Sequence, residues 1–146
     1  MRIAIASDHA GFHLKVELLA FLEESGHQVK DYGTEDSSPV DYPDFGRRVA
    51  EAVAGGLQDR GILICGTGVG MSMTANKVPG IRAALCADCF TARSSREHND
   101  ANVLCLGGRA IGVGLASDIV KVWLTSEFSG EERHRRRLGK VASIEG

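Results

Sequence analysis

The sequence predicts an α/β protein: one doubly wound, five-stranded parallel sheet, in strand order 2-1-3-4-5, followed by a C-terminal helical tail. Three observations carry this prediction. Short apolar runs alternate with amphipathic helical windows along the whole chain. The run at 61–65 (GILIC) lacks polar side chains, as a strand covered on both faces requires. Turn residues separate the elements, and a strict β–α alternation implies right-handed crossovers within one parallel sheet.

The elements follow in order. RIAIAS (2–7) reads as a buried strand that ends at Asp8-His9-Ala10-Gly11. Leu14, Leu18, Leu19 and Leu22 recur at helical spacing until Gly26 stops the helix, and 27–31 forms a short second strand. GTEDSSPVDYP (33–43) is the one long loop. Pro43 suits the first turn of a helix running through Phe45, Val49 and Val53 to Gly55-Gly56. The strand 61–65 leads into a glycine-rich turn, 66–70, then a helix to about Lys77 and a turn at Pro79-Gly80. A fourth strand is expected over 81–86, a short helix over 90–97, a fifth strand over 103–106, and a strongly apolar helix over 113–124. A polar, basic helix closes the chain from about 130 to 141.

Composition bounds the function. At 146 residues with 43% hydrophobic and 25% charged residues, the chain reads as a single globular domain, 1–146, with 130–146 as its basic tail. A domain of this size buries roughly 68–70% of its unfolded surface, enough for a core without metal or disulfides. The net charge is −2, yet residues 133–140 (RHRRRLGK) hold five of the 17 cations and no acid, so the remaining chain is clearly acidic. A globally basic nucleic-acid binder is therefore not expected. No run approaches the length of a membrane span, and no charged segment followed by an apolar one opens the chain. The four cysteines (Cys65, Cys86, Cys89, Cys105) then suggest reduced thiols and a cytoplasmic protein. Cys86 and Cys89 form a single C-x-x-C with no second pair, a pattern that serves small core residues better than zinc.

In a doubly wound sheet, ligands bind beyond the carboxyl ends of the strands. The candidates are Asp8-His9, the turn 65–70, Asp88 and 107–109. Cys65-Gly66-Thr67-Gly68-Val69-Gly70 is not a dinucleotide fingerprint, since the third glycine would have to stand at Met71, and it lacks the lysine of a phosphate loop. Its amides suit an anion or oxyanion, although a tight turn packed on a helix accounts for the spacing equally well. Cys65 is placed to be a thiolate base, or simply a buried small residue. His98-Asn99 could supply an acid or cap a helix end, and Asp8 could act on a ligand or form a turn. Arg133 and Arg137 stand four apart on one helical face, which suits a phosphate, a solvated surface or a nucleic-acid patch. The tail has no interleaved aromatics, which speaks against nucleic acid.

Taken together, SDHAG (7–11), DYPDF (41–45), CGTGVGMSMTANKVPGIRAA (65–84), REHNDANVLCLGGR (96–109) and Arg133-His134-x-x-Arg137 resemble the type B ribose-5-phosphate isomerases, a family that includes the galactose- and allose-6-phosphate isomerases. The resemblance spans nearly the whole chain. It implies a Rossmann-like fold and aldose–ketose isomerisation of a sugar phosphate with no metal or organic cofactor. It also implies that Cys65 is the base that moves a proton between C2 and C1, since Met71 occupies the position where some members carry a glutamate. The amides of Gly66, Gly68, Val69 and Gly70 would form the enediolate hole, and Thr67 would handle the sugar oxygens. Asp8 and His98 would open the furanose ring, with His98 as acid. His9, Arg133 and Arg137 would bind phosphate, with His134 in the same motif, and Asn99, Arg109 and Tyr42 would border the substrate. The resemblance further implies a homodimer with shared sites, in which His98, Asn99 and Arg109 come from the partner, and leaves open a dimer of dimers. Neither a nucleic acid nor a membrane is implied as a partner. Glu131-Glu132 depart from the glycine-rich link common in relatives. A 6-phosphate hexose isomerase and a non-catalytic sugar-phosphate-binding module are the competing functions.

Overall fold

Alternation along two strands sets the layering of the molecule. In the computed structural model, which describes residues 1–146, β1 (Arg2–Ser7) turns Ile3 and Ile5 to one face of the sheet and Ala4 and Ala6 to the other. β3 (Arg60–Cys65) does the same with Ile62 and Ile64 against Leu63 and Cys65. The large-residue face packs on α1 (Phe12–Glu24) and α5 (Val113–Thr125) through Leu14, Leu18, Leu22, Ile119, Val120 and Trp123. The other face, lined with smaller residues, takes α2 (Tyr42–Ala54) and α3 (Val69–Ala75), with Val49, Ala50, Met71 and Ala75 against the strands.

The remaining elements are β2 (Gln28–Asp31), β4 (Ala83–Leu85), α4 (Cys89–Glu97), β5 (Val103–Gly107) and α6 (Glu132–Ser143). All five strands are parallel, as the alternation predicts. The strand order differs from expectation: it is β2-β1-β3-β5-β4, not 2-1-3-4-5. Burial supplies the reason. Every residue of β5 is buried, whereas β4 is half-buried with Leu85 exposed, so β5 takes the central slot and β4 the edge. The fourth strand is also only three residues long instead of spanning 81–86, since a strand with one neighbour has few pairing partners to extend it.

Lys15 is a charged residue in the core, 1% exposed. Its ammonium meets both carboxylate oxygens of Asp31, at 2.8 and 3.0 Å, and the Thr34 carbonyl. A buried ammonium is tolerated only with such partners. Together with Thr34 N–H donating to the Ser7 carbonyl, it pins the start of the long loop beside the end of β1. No helix is long and apolar enough to cross a membrane.

Candidate functional site

The carboxyl ends of β1, β3 and β5 bring one group of the expected residues together. Cys65 is the last residue of β3, 5% exposed, on the α2/α3 face. Its Sγ accepts the Gly68 N–H at 3.2 Å, which ties the sulfur to the glycine turn. Gly68 adopts φ +82°, and a Cβ there would stand 2.5 Å from Leu85 Cδ1 and 3.0 Å from the Leu106 carbonyl carbon. Only glycine fits that position without rearrangement. The amides of Gly66 and Thr67 donate to no acceptor within the chain and remain available to a ligand. Thr67 Oγ1 accepts the Val69 N–H at 3.2 Å. The Tyr42 ring covers Gly70 so closely that a Cβ on it would lie 2.5 Å from Cε1.

Asp8 is 6% exposed and its Oδ1 accepts the Gly11 N–H at 3.0 Å, so its carboxylate does form the turn that opens α1. Its neighbour His9 accepts the Val40 N–H on Nδ1 at 3.2 Å. A backbone N–H can only donate, so the neutral His9 ring carries its proton on Nε2 and offers that N–H outward. A cavity of about 820 Å³ lies beside this loop, lined in part by Asp31, Thr34, Val40, Phe45 and Arg48. Arg109 follows β5, and its Cδ and guanidinium lie beside Gly66 (3.7 and 3.9 Å from where a Cβ would stand). Arg109, grouped with His98 and Asn99 as a partner contribution, therefore already borders the Cys65 edge of its own chain.

The second group gathers at the opposite edge. His98 ends α4, which runs back from the carboxyl end of β4 to the amino end of β5. Since Cys65 pairs with Gly107 and Gly61 with Val103, the strands alone put roughly 13 Å between the two edges. His98 stacks on His134 of α6, ring centroids 4.6 Å apart and planes 15° apart. His134 is buried and its Nε2 has no hydrogen-bond partner. Burial, then His98 and Arg133, hold its pKa below the ordinary histidine value, with Glu131 opposing. Asn99 is exposed and lines a cavity of about 280 Å³ with Leu138 and Val141 of α6.

Arg133 and Arg137 are exposed on α6, as their spacing predicts. Arg133 pairs with Glu131 at 3.0 Å and Arg136 with Glu132 at 3.2 Å. The two departing acids thus engage Arg133 and Arg136, and Arg137 has no ion-pair partner in the chain. Of the other cysteines, Cys86 is pushed up to about 11 by burial, and Cys105 higher still for the same reason, so both are held as thiols. Sequence reasoning missed Arg96 and Asp100, which flank His98-Asn99. Asp100 has φ +46°, a backbone state that no periodicity or motif announces.

The family model for Ribose/Galactose Isomerase matches residues 3–141. The chain belongs to this family. It is 50% identical over 144 residues to ribose-5-phosphate isomerase B of Escherichia coli, covering 99% of this chain and 96% of that protein. The galactose-6-phosphate isomerase subunit LacB of Clostridium acetobutylicum is 46% identical over 144 residues, covering 99% of this chain and 83% of the relative. The structure of Clostridium thermocellum ribose-5-phosphate isomerase B superposes with a TM-score of 0.98 at 58% identity, over 99% of this chain and 97% of that one.

Proposed function

We propose that this isomerase interconverts D-ribose 5-phosphate and D-ribulose 5-phosphate, with Cys65 as the base. The observation that carries the reading is Cys65 itself: a thiol at the end of a central strand, touching a glycine turn whose Gly66 and Thr67 amides are unpaired. Similarity to ribose-5-phosphate isomerases over the full chain supports the same substrate.

The chemistry starts with the furanose: its C1–O4 bond breaks as the ring oxygen takes a proton from His98 and the anomeric hydroxyl gives its proton to the Asp8 carboxylate, leaving a C1 carbonyl. The Cys65 thiolate then removes the C2 proton. The electron pair forms the C1–C2 double bond, and the C1 carbonyl oxygen becomes the enediolate oxyanion. Unpaired amides preorganised at that oxygen are the stabiliser this step most needs, and they cost no reorganisation as charge develops. The C2 hydroxyl proton passes to the C1 oxygen, the thiol returns its proton to C1, and the C2 oxygen is left as the ketone. Thr67 lies beside the sugar oxygens, and Tyr42 walls the site at Gly70. His9 Nε2–H, Arg133 and Arg137 are assigned to the phosphate, with Asn99 and Arg109 as further contacts, while His134, buried beneath the His98 ring, holds that ring in place.

One chain holds Cys65 and His98 at opposite sheet edges, so each site is assembled from two copies, with His98 and Asn99 reaching the partner's Cys65 turn. The polypeptide is one catalytic domain with α6 as its phosphate-binding tail, and it works without a cofactor. A hexose 6-phosphate is the second reading, favoured by the 46% identity to a galactose-6-phosphate isomerase subunit. Assaying ribose 5-phosphate against allose 6-phosphate and galactose 6-phosphate on one preparation decides between them. The pentose should have the higher kcat/KM by at least tenfold, and a preference for either hexose sinks the assignment.

A further inference from the structure

We propose that Asp100, clamped by Arg96 and Arg82, is the positioning residue that aims the His98-Asn99 pair. The proposal rests on the reading of His98 as the ring-opening acid. Asp100 is the one residue other than glycine with positive φ, at +46°. Such a backbone state costs free energy outside glycine and persists only where the surroundings hold it. Here they do. Arg96, 6% exposed, donates from one guanidinium nitrogen to Asp100 Oδ1 at 2.9 Å and to the Ala101 carbonyl at 2.6 Å. Arg82, just before the edge strand, donates Nε to the Asp100 carbonyl at 2.9 Å and approaches Oδ2 at 3.4 Å. The Asp100 N–H returns to the Arg96 carbonyl at 3.2 Å.

Side chain and backbone of this one residue are thus held from two elements. The residue directly follows Asn99, and it turns the chain out of α4 into β5. His98 caps α4 in helical backbone, φ −104° and ψ −36°, and the left-handed turn two residues later fixes the direction in which the His98-Asn99 segment leaves the helix. The Arg96 guanidinium is itself immobilised, lying over the Trp123 ring at 5.9 Å and donating Nε to the Ser126 carbonyl at 3.4 Å. The backbone of His98 is therefore fixed from the core through Arg96 and Asp100, while its ring is fixed from α6 by His134. A plain helix stop would need only glycine at position 100. The carboxylate and its two arginines add directional hold on the turn.

Asp100→Gly separates the two roles, since glycine accepts the positive φ but carries no carboxylate. In the folded variant, the His98 ring proton and nitrogen NMR signals should move from stacked values toward those of a free histidine. kcat/KM for ribose 5-phosphate should fall about tenfold or more, as small misplacements of catalytic groups do. Asp100→Asn keeps an acceptor for Arg96 and tolerates the left-handed state, so it should recover roughly half or more of that loss. Unmoved His98 signals in Asp100→Gly overturn the proposal, as does a loss that Asp100→Asn leaves unrepaired. Should Asp100→Gly not fold, Arg82→Gln loosens the outer half of the clamp and must shift the same signals in the same direction. The ring signals report geometry whatever the substrate proves to be, so failure of the isomerase reading shows in the wild-type assay and not in them.

Discussion

His98 and His134 lie face to face, ring centroids 4.6 Å apart and planes 15° apart, joining the end of α4 to the first turn of α6. The contact places an exposed imidazole against a buried one, on the sheet edge away from Cys65. It ties the fate of the proposed acid to the helix that carries the proposed phosphate ligands.

That stack makes stability sensitive to acid. The pKa of His134 is held below the ordinary histidine value by burial and by His98, so the folded state favours the neutral ring. Its contribution is fully present above the unfolded pKa, about 6.5, and is lost as the pH falls from there through the folded value. Melting temperature should hold above about pH 7 and drop below about pH 6.5. His134→Phe keeps a stacking ring that cannot charge and should flatten that drop, and an unchanged acid limb would count against His134 as its source.

Cys65→Ala should lower kcat by about 10³-fold while leaving KM within a few-fold, because it removes a proton-transfer group and no phosphate contact. Steady-state kinetics from both directions of the reaction check this. Turnover near wild type would remove the thiol from the mechanism.

Arg137→Ala should raise KM by roughly ten- to a hundredfold with kcat little changed, the scale of one charge-assisted hydrogen bond to phosphate. Arg136→Ala, whose partner is Glu132, serves as the contrast and should leave KM unaltered. Equal effects from the two would show that the helix acts by general charge and not as a specific clamp.

Mixing Cys65→Ala with His98→Ala protein tests assembly of the site from two copies. Each variant alone should be inactive. Random exchange in a two-fold dimer with shared sites should restore about a quarter of wild-type activity, because half the dimers are mixed and each has one intact site. No recovery after verified subunit exchange would place both residues in the same chain's site.

Gly68→Ala should cost roughly 2 kcal/mol or more of stability, since it combines a left-handed backbone with a Cβ driven into Leu85 and the Leu106 backbone. Denaturant midpoints read the loss. Gly114→Ala, inside α5 where a Cβ meets nothing within 4 Å, should cause no loss.

Much of this was legible in the linear chain. The alternation of Ile and Ala in β1, the fully apolar runs of β3 and β5, and the spacing of Leu14, Leu18 and Leu22 are local patterns with a fixed geometric meaning. They define a parallel sheet, and with it the edge where Asp8, Cys65 and Arg109 emerge. The glycine turn was readable too, because a strand followed by Gly-x-Gly-x-Gly has few conformations open to it.

Other features depended on residues distant in sequence. The strand order turned on β5 being buried throughout and β4 only half so, a difference that arises because β5 pairs on both sides and β4 on one. Asp100 took its left-handed state from Arg96 and Arg82, one turn back and 18 residues away. The sequence alone determined the layers, the parallel sheet and the chemistry of each candidate group, because those follow from side-chain period and type. Only the tertiary structure decided which groups meet. A parallel sheet sends the ends of its strands and the ends of its helices to opposite edges, so Cys65 and His98, only 33 residues apart in one chain, stand at opposite ends of the sheet.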